Sequence, residues 1–233
     1  SWKLAAILQG QNKNLLETYN AERAAAADQN IACTGQSNTF IAPQGEAATA
    51  IRNSILEKAK KGAEYKKQIN CGRLSVPCVY GQYPESKEGN WKNQKLEPGR
   101  AVIDCRIGTE YLIHKLGYHF TLLTGKNRLT IEDKKLLAQF KTDFLEIDVE
   151  KNEALAKLYE LSEGGGYLFT PDQYVLGRWR ALNVNTVVDL IGTYLAGNVF
   201  EEGSLIKTEQ EIIDEKVAKL LRNTHFSTPV NQT

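Results

Sequence analysis

The chain contains no methionine among its 233 residues, and it begins at Ser1. That fits removal of an initiator residue or a piece of a longer protein, and the second is the expectation developed below. Histidine occurs three times, at His114, His119 and His225, and cysteine four times, at Cys33, Cys71, Cys78 and Cys105. No C-x-x-C pair and no histidine at ligand spacing accompanies them, which excludes the usual zinc patterns and leaves buried or incidental thiols as the reading. No stretch of about eighteen apolar residues is present, nor a basic-then-apolar leader, so neither a membrane span nor a secretory signal is expected. Charge of one sign is lacking as well. Lys plus Arg number 29 against 28 for Asp plus Glu, a net charge of +1, which provides no field for a nucleic acid. These absences together predict a cytoplasmic protein without a membrane or nucleic-acid partner.

What is present is organised around Gly164 to Arg180, GGGYLFTPDQYVLGRWR. Tyr167-Leu168-Phe169 and Tyr174-Val175-Leu176 favour pleated backbone, and Thr170-Pro171-Asp172-Gln173 lies between them. Pro171 sets φ for a turn and Asp172 bonds local backbone, so the stretch predicts a β-hairpin.

Residues 1–69 read as a helical arm. Trp2, Leu4, Ala5, Ile7 and Leu8 lead to a stop at Gly10, and Leu15, Leu16, Tyr19 and Arg23 continue at helical spacing after a cap at Asn12 or Asn14. Past Pro43-Gln44-Gly45, a helix from Glu46 to about Lys67 carries a stripe of Ala47, Ala50, Ile51, Ile55, Leu56 and Ala59. Its lysines read as a solvated face. Residues 70–99 are rich in Gly, Pro and polar side chains, with one extended piece at Leu74 to Tyr80, and read as a linker.

From residue 100 to 197 strands and helices alternate. Strands are expected at Ala101–Ile107, Tyr118–Thr124, Phe144–Val149 and the two arms of the hairpin. Helices are expected at Thr109–Leu116, Thr130–Phe140, Lys151–Leu161 and Asn183–Leu195, the second opened by the capping-box pattern Thr130-Ile131-Glu132-Asp133. The fold class is therefore α/β: a helical arm, then a thioredoxin-like β-α-β-α-β-α-β-β-α domain with helices on both faces of a mixed sheet. Residues 198–233 form a tail, with a last helix capped at Thr208-Glu209-Gln210-Glu211 and striped by Ile212, Ile213, Val217, Leu220 and Leu221.

The thioredoxin-like order invites a redox site at the strand-to-helix junction Gly125 to Thr130, but no cysteine is there. Cys105, in the first expected strand, reads as a packed thiol. Gly164-Gly165-Gly166 precedes a strand and not a helix N-terminus, so it is no phosphate cradle. Arg178-Trp179-Arg180 reads as a strand-end aromatic between solvated arginines, and neither His114 nor His119 marks a general base. No catalytic, cofactor-binding or metal-binding residue is assigned.

Several segments, taken in order, resemble the C-terminal part of the FAD-dependent aromatic hydroxylases of the phenol and hydroxyphenylpropionate type. They are Trp2-Lys3-Leu4-Ala5, the helix Leu15-Leu16-Glu17-Thr18-Tyr19-Asn20-Ala21-Glu22-Arg23, Gly72-Arg73-Leu74-Ser75-Val76-Pro77, Pro98-Gly99-Arg100, Leu116 to Leu123, and the hairpin Pro171-Asp172-Gln173-Tyr174-Val175. Thr170 stands where that family has arginine. The resemblance covers about residues 1–197. It implies that FAD and NAD(P)H belong to a parent enzyme whose N-terminal flavin domain precedes Ser1. It implies also that Glu22 and Arg23 form a helix-anchoring ion pair, and that the thioredoxin-like part packs and oligomerises, a homodimer being one outcome. A free-standing, redox-inactive thioredoxin-like interaction domain is the alternative.

Overall fold

A computed structural model describes residues 2–62, 65–66, 69, 76–81, 83 and 90–197. The tail with its expected terminal helix lies outside the described residues, as do most of the Gly72–Pro77 segment, the end of the second expected arm helix and the start of the Leu74–Tyr80 piece. The elements are α1 (Trp2–Leu8), α2 (Leu15–Ile41), α3 (Gly45–Ala59), a 3-10 turn (Gln94–Leu96), β1 (Arg106–Ile107), β2 (Glu110–Tyr111), α4 (Leu112–Lys115), β3 (Phe120–Gly125), α5 (Ile131–Gln139), β4 (Thr142–Ile147), α6 (Glu153–Tyr159), β5 (Gly166–Phe169), β6 (Val175–Trp179) and α7 (Val184–Leu195).

Helix boundaries follow local chemistry. α1 stops at Gly10, which takes φ +98°, and Asn12 Oδ1 accepts the Asn14 N–H at 2.9 Å as α2 begins. α5 opens on the full capping box: Thr130 Oγ1 accepts from the Asp133 N–H at 3.1 Å, and Asp133 Oδ2 accepts from the Thr130 N–H at 2.9 Å. α6 ends where Glu160 turns left-handed at φ +47°, and Asn183 caps α7 by accepting the Asn185 N–H.

The central sheet runs β4-β3-β5-β6, with β3 parallel to β4 and the other two pairings antiparallel. The hairpin forms as the sequence predicts. Gln173 donates its N–H to the Thr170 carbonyl at 2.8 Å and takes φ +67°, closing the loop. Thr170 Oγ1 lies 2.7 Å from Asp172 Oδ1 and accepts the Tyr174 N–H at 3.0 Å, so this buried threonine, at the arginine position of the family pattern, closes the turn.

Strand alternation sorts side chains to two covered faces. Phe120, Leu122, Leu168 and Leu176 pack with Leu137, Val187, Ile191 and Tyr194 of α5 and α7, and Trp2 of α1 joins them. Leu123, Tyr167, Phe169 and Val175 pack on the other face against Leu155 and Tyr159 of α6 and against Trp91, Leu96 and Leu112. Coverage on both sides explains why all six residues of β3 are buried.

Four expectations need correction. The strand over Ala101–Ile107 is not part of the central sheet. Only Arg106–Ile107 is strand, paired with Glu110–Tyr111, while Ala101 makes an isolated bridge to Tyr174 at the sheet's far edge. The inward row of α2 is Leu15, Thr18 and Glu22, one residue round from the predicted stripe, with Leu16 and Arg23 outward. On α3 the inward row is Ala48, Thr49, Arg52, Ile55 and Ala59, leaving Ile51 at 60% exposure. Cys33, read as a thiol, is disulfide-bonded, whereas Cys78 and Cys105 are thiols, and Cys78 donates to Gln29 Oε1 at 3.1 Å.

Gly99 fastens the segment before β1 to the sheet. Its N–H bonds Val175 O at 2.8 Å, its carbonyl accepts the Tyr80 N–H at 2.9 Å, and its φ is +89°. A Cβ there would lie inside the van der Waals envelope of the Tyr80 carbonyl oxygen. Gly99→Ala is therefore expected to cost about 3 kcal/mol or more from combined strain and overpacking, read as a lowered urea midpoint.

Candidate functional site

A dense polar cluster is buried where α1, α2, Tyr83 and α7 meet. Lys3 Nζ donates to Glu22 Oε1 at 2.6 Å and to Thr18 Oγ1 at 2.9 Å, and the Lys3 and Glu22 side chains are each only 2% exposed. The Tyr83 and Tyr194 hydroxyls donate to the same carboxylate oxygen at 3.1 and 3.2 Å and stand 2.9 Å from each other. Aromatic rings wall the cluster: Lys3 Nζ lies 5.0 Å from the Tyr194 centroid, and Trp2 stacks on Tyr194 and meets Phe120 edge-on. Burial holds the Lys3 ammonium below its ordinary range, opposed by the Glu22 charge. The helix-anchoring pair is thus Lys3–Glu22 and not Glu22–Arg23. Arg23 instead places its guanidinium 5.2 Å from the centre of the Tyr80 ring.

Burial also raises Tyr83 and Tyr194 well above the ordinary phenol value, and Tyr167 and Tyr174 to about 12. Above pH 10 the unfolded chain loses these protons while the native chain keeps them. The native state then binds more protons, and stability falls as pH rises from about 10 through 12. The lowered Lys3 acts in the opposite sense between its native value and 10.5 but is one group against four. Phenolate absorbance is expected to lag behind that of free tyrosine and then rise in a cooperative step with unfolding; a smooth titration near pH 10 would contradict the burial of these hydroxyls.

A second arrangement corrects the reading of Arg178 and Arg180 as solvated. Arg178 is 6% exposed, and the two guanidinium carbons lie 4.6 and 3.7 Å from the centroid of the Trp91 ring, itself 6% exposed. Arg178 donates to Asn93 O at 3.0 Å, and Arg180 pairs with Glu160 and donates to its carbonyl at 2.8 Å. Trp179, between them in sequence, packs on the opposite face of the sheet. This cluster ties the expected linker to the sheet.

The remaining candidates stay apart. Cys105 is partly buried, and desolvation pushes its thiol up to about 11, the reverse of what a reactive thiolate needs. His119 Nδ1 faces Asp143 Oδ2 at 3.3 Å on the surface, and His114 lies edge-on to Tyr111. No cluster of three or more metal-ligating side chains occurs among the described residues, and no helix among them is long and apolar enough to cross a membrane. The arrangement therefore has the chemistry of buried charge holding separate segments in register.

No family model and no curated protein matches the chain. Solved structures do match it. Aklavinone-11 hydroxylase, in a ternary complex with FAD and aklavinone, superposes with a TM-score of 0.59 at 20% identity over 83% of this chain and 38% of its own. The rebeccamycin biosynthetic enzyme RebC with reduced flavin gives 0.58 at 20% identity over 84% and 39%. The flavin-dependent monooxygenase PieE, with FAD and substrate, gives 0.53 at 17% identity over 86% and 42%. The likeness is one of fold. This chain spans about two fifths of the length of these flavin enzymes.

Proposed function

We propose that the chain is the C-terminal portion of an FAD-dependent monooxygenase that hydroxylates a phenolic or other aromatic substrate at the expense of NAD(P)H and O2. The observation that carries this reading is the extent of the fold likeness. More than four fifths of the chain superposes on flavin enzymes while occupying about two fifths of their length. The ordered motifs from Trp2 to Val175 support it independently.

Within such an enzyme the chain is structural. Gly164 to Gly166 lead into β5, and no glycine-rich turn into a helix N-terminus occurs among the described residues, so these residues do not fit the pyrophosphate of FAD or NAD(P)H. The β3-α5-β4-α6-β5-β6-α7 unit, in the order β4-β3-β5-β6, supports a thioredoxin-like assignment for that layer. The Lys3–Glu22 centre would hold α1, and whatever adjoins it, in a fixed attitude to the sheet. Leu8, Ile31, Ile41 and Ile51, between 60% and 89% exposed, supply apolar surface for an N-terminal flavin domain or a second copy of the chain. A cytoplasmic setting and a homodimer belong to the same proposal.

The test is the complete reading frame, expressed and assayed for NAD(P)H oxidation and O2 uptake with simple phenols. Phenol-stimulated consumption with a hydroxylated product is expected. A frame lacking an upstream G-x-G-x-x-G strand-turn-helix, with no such activity, would favour a free-standing interaction domain.

A further inference from the structure

A cleft of about 440 Å³ opens between α1 and the adjoining ends of β3, α5 and α7. Trp2, Phe120 and Phe140 form aromatic walls, and Tyr118, 95% exposed, stands at the rim with His119 and Lys141. A neighbouring recess of about 340 Å³ shares Phe140 and Lys141. Two features of the cleft are unspent by the fold. The Trp2 indole Nε1–H is buried and has no hydrogen-bond partner, an arrangement that native interiors rarely leave without a reason. Lys141 is paired with no carboxylate among the described residues.

Aromatic walls select a flat ring, a buried indole donor asks for an acceptor, and an unpaired ammonium at the rim selects a negative charge. We propose that this cleft is a binding site for a small planar aromatic anion, a carboxylate or phenolate of one or two rings. The ring lies among Trp2, Phe120 and Phe140, and its anionic oxygens lie toward Lys141. The site is independent of the flavin reading, since every residue it uses is in this chain.

Calorimetric titration of the purified chain with 1-naphthoate tests it, with 1-naphthamide as the uncharged twin. Lys141→Asn removes the cation at a left-handed position, φ +48°, that asparagine tolerates, and Trp2→Phe removes the indole donor while keeping a ring. Saturable binding of one naphthoate per chain is expected, weakened about tenfold or more for the amide and for Lys141→Asn. A loss of several-fold is expected for Trp2→Phe. Absence of saturable binding, equal affinity for acid and amide, or unchanged affinity in a folded Lys141→Asn chain would overturn the proposal. That surface variant keeps the test decisive if Trp2→Phe does not fold.

Discussion

Glu22→Ala is expected to lower stability by about 3–5 kcal/mol, the cost of breaking a buried ion pair from one side. The substitution leaves the Lys3 ammonium buried with Thr18 Oγ1 as its remaining hydrogen-bond acceptor, and it leaves the Tyr83 and Tyr194 hydroxyls with only each other. α1 should then loosen from α2 and α7, because Lys3 joins it to Thr18 and Glu22 while Trp2 stacks on Tyr194. The double substitution Lys3→Met/Glu22→Leu is expected to recover most of the loss, since apolar replacements of similar volume often match or exceed a buried pair. Urea denaturation of the three chains measures both effects. A single-variant loss below about 1 kcal/mol would put the pair in the range of solvated surface bridges, contrary to its burial.

Trp91→Ala is expected to be comparably severe, about 3–5 kcal/mol, because it empties a site enclosed by Arg178, Arg180 and Tyr167. The cost exceeds simple cavity formation, as the mostly buried Arg178 loses the ring that covers its charge. Trp91→Phe retains a ring for both guanidinium groups and is expected to lose less than half as much. Equal losses for the two would assign the effect to the indole rather than to stacking.

Local signals carried the parts of the fold that local chemistry decides. The hairpin was legible because two short apolar runs that favour pleated backbone flank a turn sequence, and α5 because Thr130 and Asp133 satisfy each other's backbone. β1 was overextended because the stretch Ala101–Ile107, with its branched Val102, Ile103 and Ile107, fits a strand equally well whether it enters a sheet or skirts its edge. The polar centre was hidden for a different reason. Lys3 and Glu22 are nineteen residues apart, and Arg178 meets Asn93 across eighty-five, so nothing in either neighbourhood announces the partner. One signal did exist. Glu22 continues the row of Leu15 and Thr18 at helical spacing, which places a carboxylate on an inward face and calls for a buried cation. Lys3, set in the apolar run from Trp2 to Leu8, was the available candidate.

The absence of a redox pair from the Gly125–Thr130 junction was legible at once, and the structure adds the reason Cys105 does not substitute: burial keeps it a thiol. The aromatic cleft beside α1 was not legible, because it forms only when Trp2, Phe120 and Phe140 converge from three elements.

The most direct test of the central claim is the absorption spectrum of the protein made from the complete reading frame. A yellow product with an oxidised-flavin spectrum, bleached by NAD(P)H in the presence of a phenol, is the predicted result. A colourless product that retains no FAD when reconstituted would contradict it.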